Sequence, residues 1–138
     1  MVFIIDDVVK SLVDHCFASA RDRKSRTANA RKAFRDEVLQ AFAGMYPIAT
    51  DWPADINQHL QSVFPQLQAA TEKLKPFIHR RHRQDFGRAW DIYRVGTDGR
   101  PTIDTQVYHQ YMGFSGQPDP REMFRENVTR LLSFAGEP

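Results

Sequence analysis

The chain has 138 residues, of which 41% are apolar and 12% aromatic, and its formal net charge is +2. This size suits one folded domain over residues 1–138, and this apolar content excludes wholesale disorder. Because Cys16 is the only cysteine, an internal disulfide and a cysteine-based zinc site are excluded, and a reducing cytoplasm is the expected setting.

The uninterrupted apolar run at the N-terminus is too short for a secretory signal or a membrane-spanning helix. Its longest uninterrupted apolar run is residues 1–5, which Asp6 and Asp7 end. A secretory signal needs an apolar region of roughly 7–15 residues, and a spanning helix needs roughly 20. We therefore expect no transmembrane segment.

Residues 4–20 predict a first helix with one wide apolar face. Its members recur in pairs every four residues: Ile4, Ile5, Val8, Val9, Leu12, Val13, Cys16, Phe17 and Ala20. This spacing indicates a helix that buries one side, so a buried structural thiol is predicted at Cys16. Residues 25–29 lack the periodicity and predict a turn or joint.

Three more helices are predicted in the middle of the chain. The second follows the joint at 25–29 and ends at Gly44 and Pro47. Pro53, beside Trp52, suits the first turn of a third helix, and Pro65 is predicted to interrupt it. A short fourth helix then ends before Pro76, because a residue that precedes proline disfavours helical geometry.

Residues 76–94 predict a fifth helix with an apolar side and a cationic side. The apolar side comprises Phe77, Ile78, His82, Phe86, Ala89, Trp90 and Tyr93. Phe86 and Trp90 are predicted to anchor the core, and Trp52 is predicted to cap it.

The C-terminal third begins with the strongest turn signal of the chain, at residues 96–101. Side chains in residues 103–112 alternate in polarity, as in a β-strand, but the residues at the two ends of the segment are typical of a short helix. We favour a helix because no partner strand is evident. The last helix is predicted from Asp119 as N-cap, Pro120 and Glu122, with Gly136 as its end. The expected fold is an all-α, single-domain bundle of five to seven helices, with a short irregular or β segment near 95–112 as an alternative.

Positive charge is concentrated in two segments. Residues 21–35 carry seven Lys/Arg and one Asp, for +6, and residues 79–94 carry five Arg and two Asp, for +3, so the remainder sums to −7. Such charge density is what phosphate binding requires, and arginine forks pair well with phosphate oxygens. The candidate partner- or phosphate-binding residues are Arg21, Arg23, Lys24, Arg26, Arg31, Lys32, Arg80, Arg81, Arg83 and Arg88.

Other interpretations of the two basic segments stay open. Residues 21–35 could be an exposed connector, and Asp85 and Asp91 could neutralise part of the later arginine face. A basic segment beside an amphipathic helix also fits peripheral contact with an anionic membrane surface.

The sequence lacks the motifs of an enzyme. It has no glycine-rich phosphate loop, no nucleophile elbow and no HExxH motif. His79 and His82 have a spacing that can ligate a metal, but Arg80 and Arg81 between them would repel a cation. We predict no metal, no cofactor and no catalysis, with a small nuclease that uses His79, His82 or His109 as the alternative.

One stretch resembles a family of prokaryotic proteins for which no activity is known. The resemblance rests on Pro76-Phe77-Ile78, Arg80-Arg81, Phe86, Ala89-Trp90 and Tyr93. Some members also end in a helix similar to Phe124, Asn127, Leu131-Leu132 and Phe134-Ala135 here. The likeness covers about half of the chain, suggests a bacterial or phage protein and implies no functional residues.

The expected function is a non-catalytic helical binding module whose partner is a protein. Its segregated charge would steer and orient that partner, and aromatic side chains near the basic rim would anchor it. The alternative is a nucleic-acid-binding accessory protein that uses residues 21–35 and 79–94.

Overall fold

The computed structural model describes residues 2–97 and 108–136, with residues 2–9 and 13 as backbone only. These residues form four α-helices: α1 (Val2–Ala41), α2 (Ile56–Leu74), α3 (Arg80–Val95) and α4 (Pro120–Ser133). Two 3-10 helices span Lys75–Phe77 and His109–Tyr111. No strand occurs in these ranges, so the all-α prediction is confirmed, whereas the predicted five to seven helices are not.

Part of the C-terminal prediction cannot be compared with the structure. Residues 98–107, which include most of the predicted turn at 96–101 and the first half of the ambiguous segment, lie outside the described residues. Gly96 ends α3 with a φ of 83°, a left-handed conformation that glycine adopts without strain.

α1 is one continuous helix of 40 residues, about 60 Å long at 1.5 Å per residue. The predicted joint at residues 25–29 is therefore wrong. No glycine or proline occurs before Gly44, so no residue in this stretch breaks the helical backbone. Thr27 fits within the helix because its hydroxyl donates to the Arg23 carbonyl at 2.9 Å.

Only the C-terminal part of α1 enters the core. Phe34 and Val38 are buried, whereas Leu12 and Phe17 are each 61% exposed and the Cys16 thiol is exposed. The predictions of a buried stripe and a buried thiol are wrong at these three positions. The other described helices pack against the end of α1 and leave Leu12, Cys16 and Phe17 uncovered.

α2 differs from the prediction at its start and at Pro65. Asp55 is its N-cap, with a carboxylate oxygen 3.0 Å from the amide nitrogen of Gln58, so the helix begins at Ile56 and not at Pro53. The helix continues through Pro65, which was expected to interrupt it. Leu60 and Leu67 flank Pro65 and are both buried. Burial of two leucines contributes about 3–6 kcal/mol, which offsets the roughly 3 kcal/mol that an internal proline costs.

α3 begins four residues after Pro76. Pro76 and Phe77 belong to the first 3-10 helix, and Ile78 is extended with φ −94° and ψ 136°. His79 is the N-cap of α3, so the predicted start at Pro76 is wrong. The predicted core side of α3 is confirmed from Phe86 onward, since Phe86, Ala89, Trp90 and Tyr93 are all buried.

Aromatic rings of α1, of α3, of α4 and of Phe42, which follows α1 directly, meet in the core. The rings of Phe42 and Phe124 meet edge to face at 4.8 Å between centroids, and Phe34 meets Phe86 at 5.8 Å. Trp52 packs on Phe124 at 5.5 Å, as its predicted place at the core requires. The core therefore lies at the C-terminal end of α1.

α4 has the predicted start. The Asp119 carboxylate accepts a hydrogen bond from the Arg121 backbone at 3.0 Å, and Pro120 is the first helical residue. Glu122 pairs with Arg125 instead of completing a capping box.

Candidate nucleic-acid interface

The two basic segments meet in one open groove between α1 and the start of α3. We call it the basic groove, with a cavity volume of about 580 Å³. Its lining residues are Arg23, Arg26, Thr27, Arg31, Pro76, Phe77, Ile78, His79, Arg80 and Arg83.

The helical repeat of α1 places its share of this lining on one side. Arg23, Arg26/Thr27 and Arg31 follow one another at intervals of three to five residues, which keeps them along one face of a helix. Opposite them, Ile78 is buried at 5% exposure and fixes the turn between the first 3-10 helix and α3. That turn brings Arg80 and Arg83 to the groove.

The N-terminus of α3 adds backbone donors and a helix dipole to the groove. The His79 ring accepts a hydrogen bond from the Arg81 backbone through Nδ1 at 3.3 Å. In the neutral ring this leaves the proton on Nε2, which can donate to a ligand. The positive end of the α3 dipole favours an anion at the same place.

Arg83 is held in place by the backbone of the preceding turn. Its Nε donates to the Ile78 carbonyl at 2.9 Å, and its Nη2 donates to the Pro76 carbonyl at 3.3 Å. A guanidinium has five N–H donors, so donors remain for a ligand after these two bonds. Arg83 is thus ordered before any ligand binds.

The positive charge of the groove is not neutralised within the described residues. No aspartate or glutamate is among the residues that line it. The ion pairs found in the described part of the chain are Lys32–Asp36, Lys75–Glu72 and Arg125–Glu122, and none includes a groove arginine. Five uncompensated guanidinium groups therefore face one concave surface.

Five of the ten candidate residues line the groove, and five do not. Arg23, Arg26, Arg31, Arg80 and Arg83 come together. Arg21, Lys24, Lys32, Arg81 and Arg88 are exposed elsewhere on the same helices.

Arg94, the last arginine of the second segment, has a structural position. Its guanidinium carbon is 5.1 Å from the Phe64 ring centroid and 5.9 Å from that of Trp90. Such cation–π contacts stabilise the packing of α3 on α2.

The cationic surface continues past His79. A neighbouring cavity of about 340 Å³ shares Arg31, Ile78 and His79 with the basic groove and adds His82 and Phe134. The His79 and His82 rings are 6.3 Å apart, and both side chains are exposed. The prediction that His82 lies on the core side of α3 is therefore wrong.

Within the described residues, no group of three or more His, Cys, Asp or Glu side chains is placed to hold a metal ion.

Sequence reasoning missed Phe77 as a groove residue. It was assigned to the core side of the fifth predicted helix, but it is 36% exposed and lines the basic groove. The signal was available in Pro76, since a helix that starts after the proline turn leaves Phe77 outside its periodic face.

His109, the third residue of the nuclease alternative, does not line the groove. It lies on the second 3-10 helix, where its ring is 6.0 Å from that of Phe114.

Searches for similarity add no relative. Comparisons with protein-family models, curated proteins and solved structures give no match.

Among the described helices, none combines the length and apolar content needed to cross a membrane.

Proposed function

We propose that the protein is a non-catalytic nucleic-acid-binding accessory protein whose basic groove holds a phosphate backbone. The observation that supports this proposal is the convergence of Arg23, Arg26 and Arg31 from α1 with Arg80 and Arg83 from α3. These residues come from the two segments whose charge density suggested phosphate binding.

The chemistry of the groove suits phosphate better than a carboxylate-bearing peptide. Several arginine forks, an Nε2 donor and a helix N-terminus together supply many donors, which matches the several oxygens of successive phosphates. Neutralising phosphates also releases condensed counterions, so affinity should depend steeply on salt. If all five arginines contact duplex phosphates, the slope of log affinity against log salt is about −4.5.

Random-sequence duplex DNA tests the proposal when it is titrated at several salt concentrations. The groove variants are Arg26→Gln and Arg80→Gln. Their matched controls are Lys24→Gln and Arg81→Gln, which remove the same charge from the same segments outside the groove. At about 0.1 M salt, loss of one phosphate contact lowers affinity about eightfold by counterion release alone.

The two pairs of variants separate a site from a general charge effect. We expect each groove variant to lose about eightfold in affinity and about 0.9 in salt slope, and each control to lose much less. Equal losses in both pairs would mean that the groove is not the site. Absence of any retention at low salt would remove the nucleic-acid function.

A second candidate function, contact with a protein, has its own supporting observation on α1. Leu12, Cys16 and Phe17 form an exposed apolar stripe on a helix that the described part of the chain does not cover. Exposed large apolar side chains that recur on one helix face are typical of a helix that packs against a partner. The partner that we propose is a second copy of the chain.

Charge along α1 favours an antiparallel pair of copies. In the sequence, residues 2–20 carry one lysine and three aspartates, for −2, and residues 21–35 carry +6. A parallel pair would place the two +6 segments side by side, and like charges in register are repulsive. An antiparallel pair centred on Leu12, the midpoint of the predicted stripe, holds them at opposite ends.

Cysteine cross-linking tests this arrangement. In the antiparallel pair, Cys16 of one copy is displaced from Cys16 of the other by about 12 Å along the axis, beyond the reach of a disulfide. In a Cys16→Ser background, Leu12→Cys lies on the symmetry axis and should cross-link on mild oxidation. Cross-linking through Cys16 in the wild type, or a monomer at the concentrations of the oxidation experiment, would overturn the proposal.

A further inference from the structure

A small apolar pocket opens between α1 and α2, next to the basic groove. Its cavity volume is about 300 Å³, at the lower end of the range for small-molecule sites. We call it the alanine pocket, since Ala30 and Ala33 of α1 face Ala70 of α2 across it, with Phe34 and Phe77 completing the walls.

Phe77 lines both the alanine pocket and the basic groove. It is 36% exposed, so part of its ring is available to a ligand. On α1, Thr27 and Arg31 line the groove while Ala30 and Ala33 line the pocket, so the two sites are less than two helical turns apart. One ligand with an anionic part and a flat apolar part could occupy both.

Polar side chains at the alanine pocket could recognise the edge of a flat ring. The pocket is also lined by Glu37, Gln66 and Lys73. The Gln66 side-chain amide donates to the Glu37 carboxylate, which still has acceptor capacity, and Lys73 has no ion pair within the described residues. Acceptors and donors beside apolar walls are what the hydrogen-bonding edge of a nucleobase requires.

We infer that the alanine pocket takes one unstacked base of a single-stranded nucleic acid whose phosphates lie in the basic groove. This inference rests on the proposed nucleic-acid function and narrows it to single strands. A paired base inside a duplex is stacked on both faces and cannot enter, whereas a single strand can turn a base onto an aromatic ring. A charged groove beside an aromatic platform is typical of proteins that bind single strands.

Two substitutions remove the base site without touching the arginines. Phe77→Ala removes the ring, and Ala33→Leu fills the pocket from an exposed helical position that tolerates leucine. The matched control is Phe114→Ala, which removes an exposed phenylalanine from a residue that lines neither site. The ligands are a random-sequence single strand, the duplex of the same length, and inorganic polyphosphate.

We expect the wild type to bind the single strand more tightly than the duplex or polyphosphate. Base stacking on an aromatic side chain corresponds to a loss of about 5- to 150-fold in affinity when the ring is removed. Ala33→Leu should show that loss for the single strand and leave duplex and polyphosphate affinity unchanged, because Ala33 does not line the groove. Phe77 lines the groove as well as the pocket, so Phe77→Ala should lower single-strand affinity more than duplex or polyphosphate affinity. Phe114→Ala should change none of them. A 2-aminopurine base in the single strand should lose fluorescence on binding to the wild type and keep it with Phe77→Ala.

The outcomes separate this inference from the proposed function. If single strand and duplex bind equally well and neither pocket variant changes single-strand affinity, the base site is overturned while groove binding stands. If the wild type retains none of the three ligands at low salt, the nucleic-acid function fails, and the base site fails with it.

Discussion

The side-chain amide of Asn127 on α4 donates a hydrogen bond to the Tyr111 hydroxyl at 2.9 Å, and both side chains are buried. The Tyr111 hydroxyl in turn donates to the Tyr93 carbonyl at 2.6 Å. Gln110 also donates from Nε2 to the Tyr93 carbonyl, at 2.9 Å. These bonds fasten the second 3-10 helix to the C-terminal end of α3 and to α4.

Removal of the hydroxyl should have opposite effects at two neighbouring tyrosines. Tyr111→Phe deletes a group that both donates and accepts, and we expect it to lower the free energy of unfolding by about 1–2 kcal/mol. The Tyr93 hydroxyl is buried without a hydrogen-bond partner in the described residues, so Tyr93→Phe should be neutral or stabilising. Urea denaturation of both variants measures this contrast, and a larger loss for Tyr93→Phe would contradict it.

Truncation of an aromatic side chain to alanine should lower stability strongly in the core and hardly at all at the surface. Phe86 is fully buried and Trp90 nearly so, and we expect Phe86→Ala and Trp90→Ala each to destabilise the fold by about 3–5 kcal/mol. Phe114→Ala, at a half-exposed ring, should change stability by no more than about 0.5 kcal/mol. Wild-type thermal stability in both core variants would refute this placement of the core.

Stability should fall at alkaline pH because three buried tyrosines resist ionisation. Burial raises the pKa of Tyr108 to about 12, and it also raises the pKa values of Tyr93 and Tyr111. In the unfolded chain these phenols ionise near pH 10, so above that pH the unfolded state binds fewer protons than the folded state. The stability that these tyrosines contribute is fully present below pH 10. As the pH rises above 10, it is lost at up to about 1.4 kcal/mol per pH unit for each tyrosine.

Denaturant unfolding at a series of pH values from 9 to 12 checks this expectation, where 12 is the raised pKa of Tyr108. Tyrosinate absorbance should appear together with loss of helical circular dichroism. Ionisation of all tyrosines near pH 10 with the helices still intact would contradict the burial of these three rings.

Pro65→Ala should stabilise the protein. Pro65 is exposed in the interior of α2, where proline costs a helix about 3 kcal/mol relative to alanine. Alanine gives the unfolded chain more freedom, which returns up to about 1 kcal/mol, so the expected gain is about 2 kcal/mol. A decrease in melting temperature would contradict this prediction and would mean that the Pro65 ring contributes packing that alanine lacks.

The sequence predicted well those features that depend on local chemistry. The start of α4 follows from Asp119 and Pro120, and the core side of α3 follows from the spacing of Phe86, Trp90 and Tyr93. Local signals failed where tertiary packing outweighs them. Pro65 lies within α2 because the leucines around it are buried.

The α1 stripe shows a second limit of sequence reasoning. Periodicity identifies Leu12, Cys16 and Phe17 as one face of a helix, but it does not say whether this chain or a partner covers that face. The candidate site has the same limit. Both basic segments were recognisable, yet which arginines face one another depends on the turn that Ile78 fixes between Phe77 and α3.

The uninterrupted backbone of α1 sets the angle between its two proposed binding faces. Without glycine or proline there is no site for a sharp kink. The helix therefore holds the stripe near Leu12 and the groove near Arg26 at a fixed distance and a fixed angle. Each residue deleted between them would rotate one face relative to the other by about 100° and shorten their separation by about 1.5 Å. Deletion of seven residues would nearly restore the original phase, whereas deletion of two would turn the faces almost opposite.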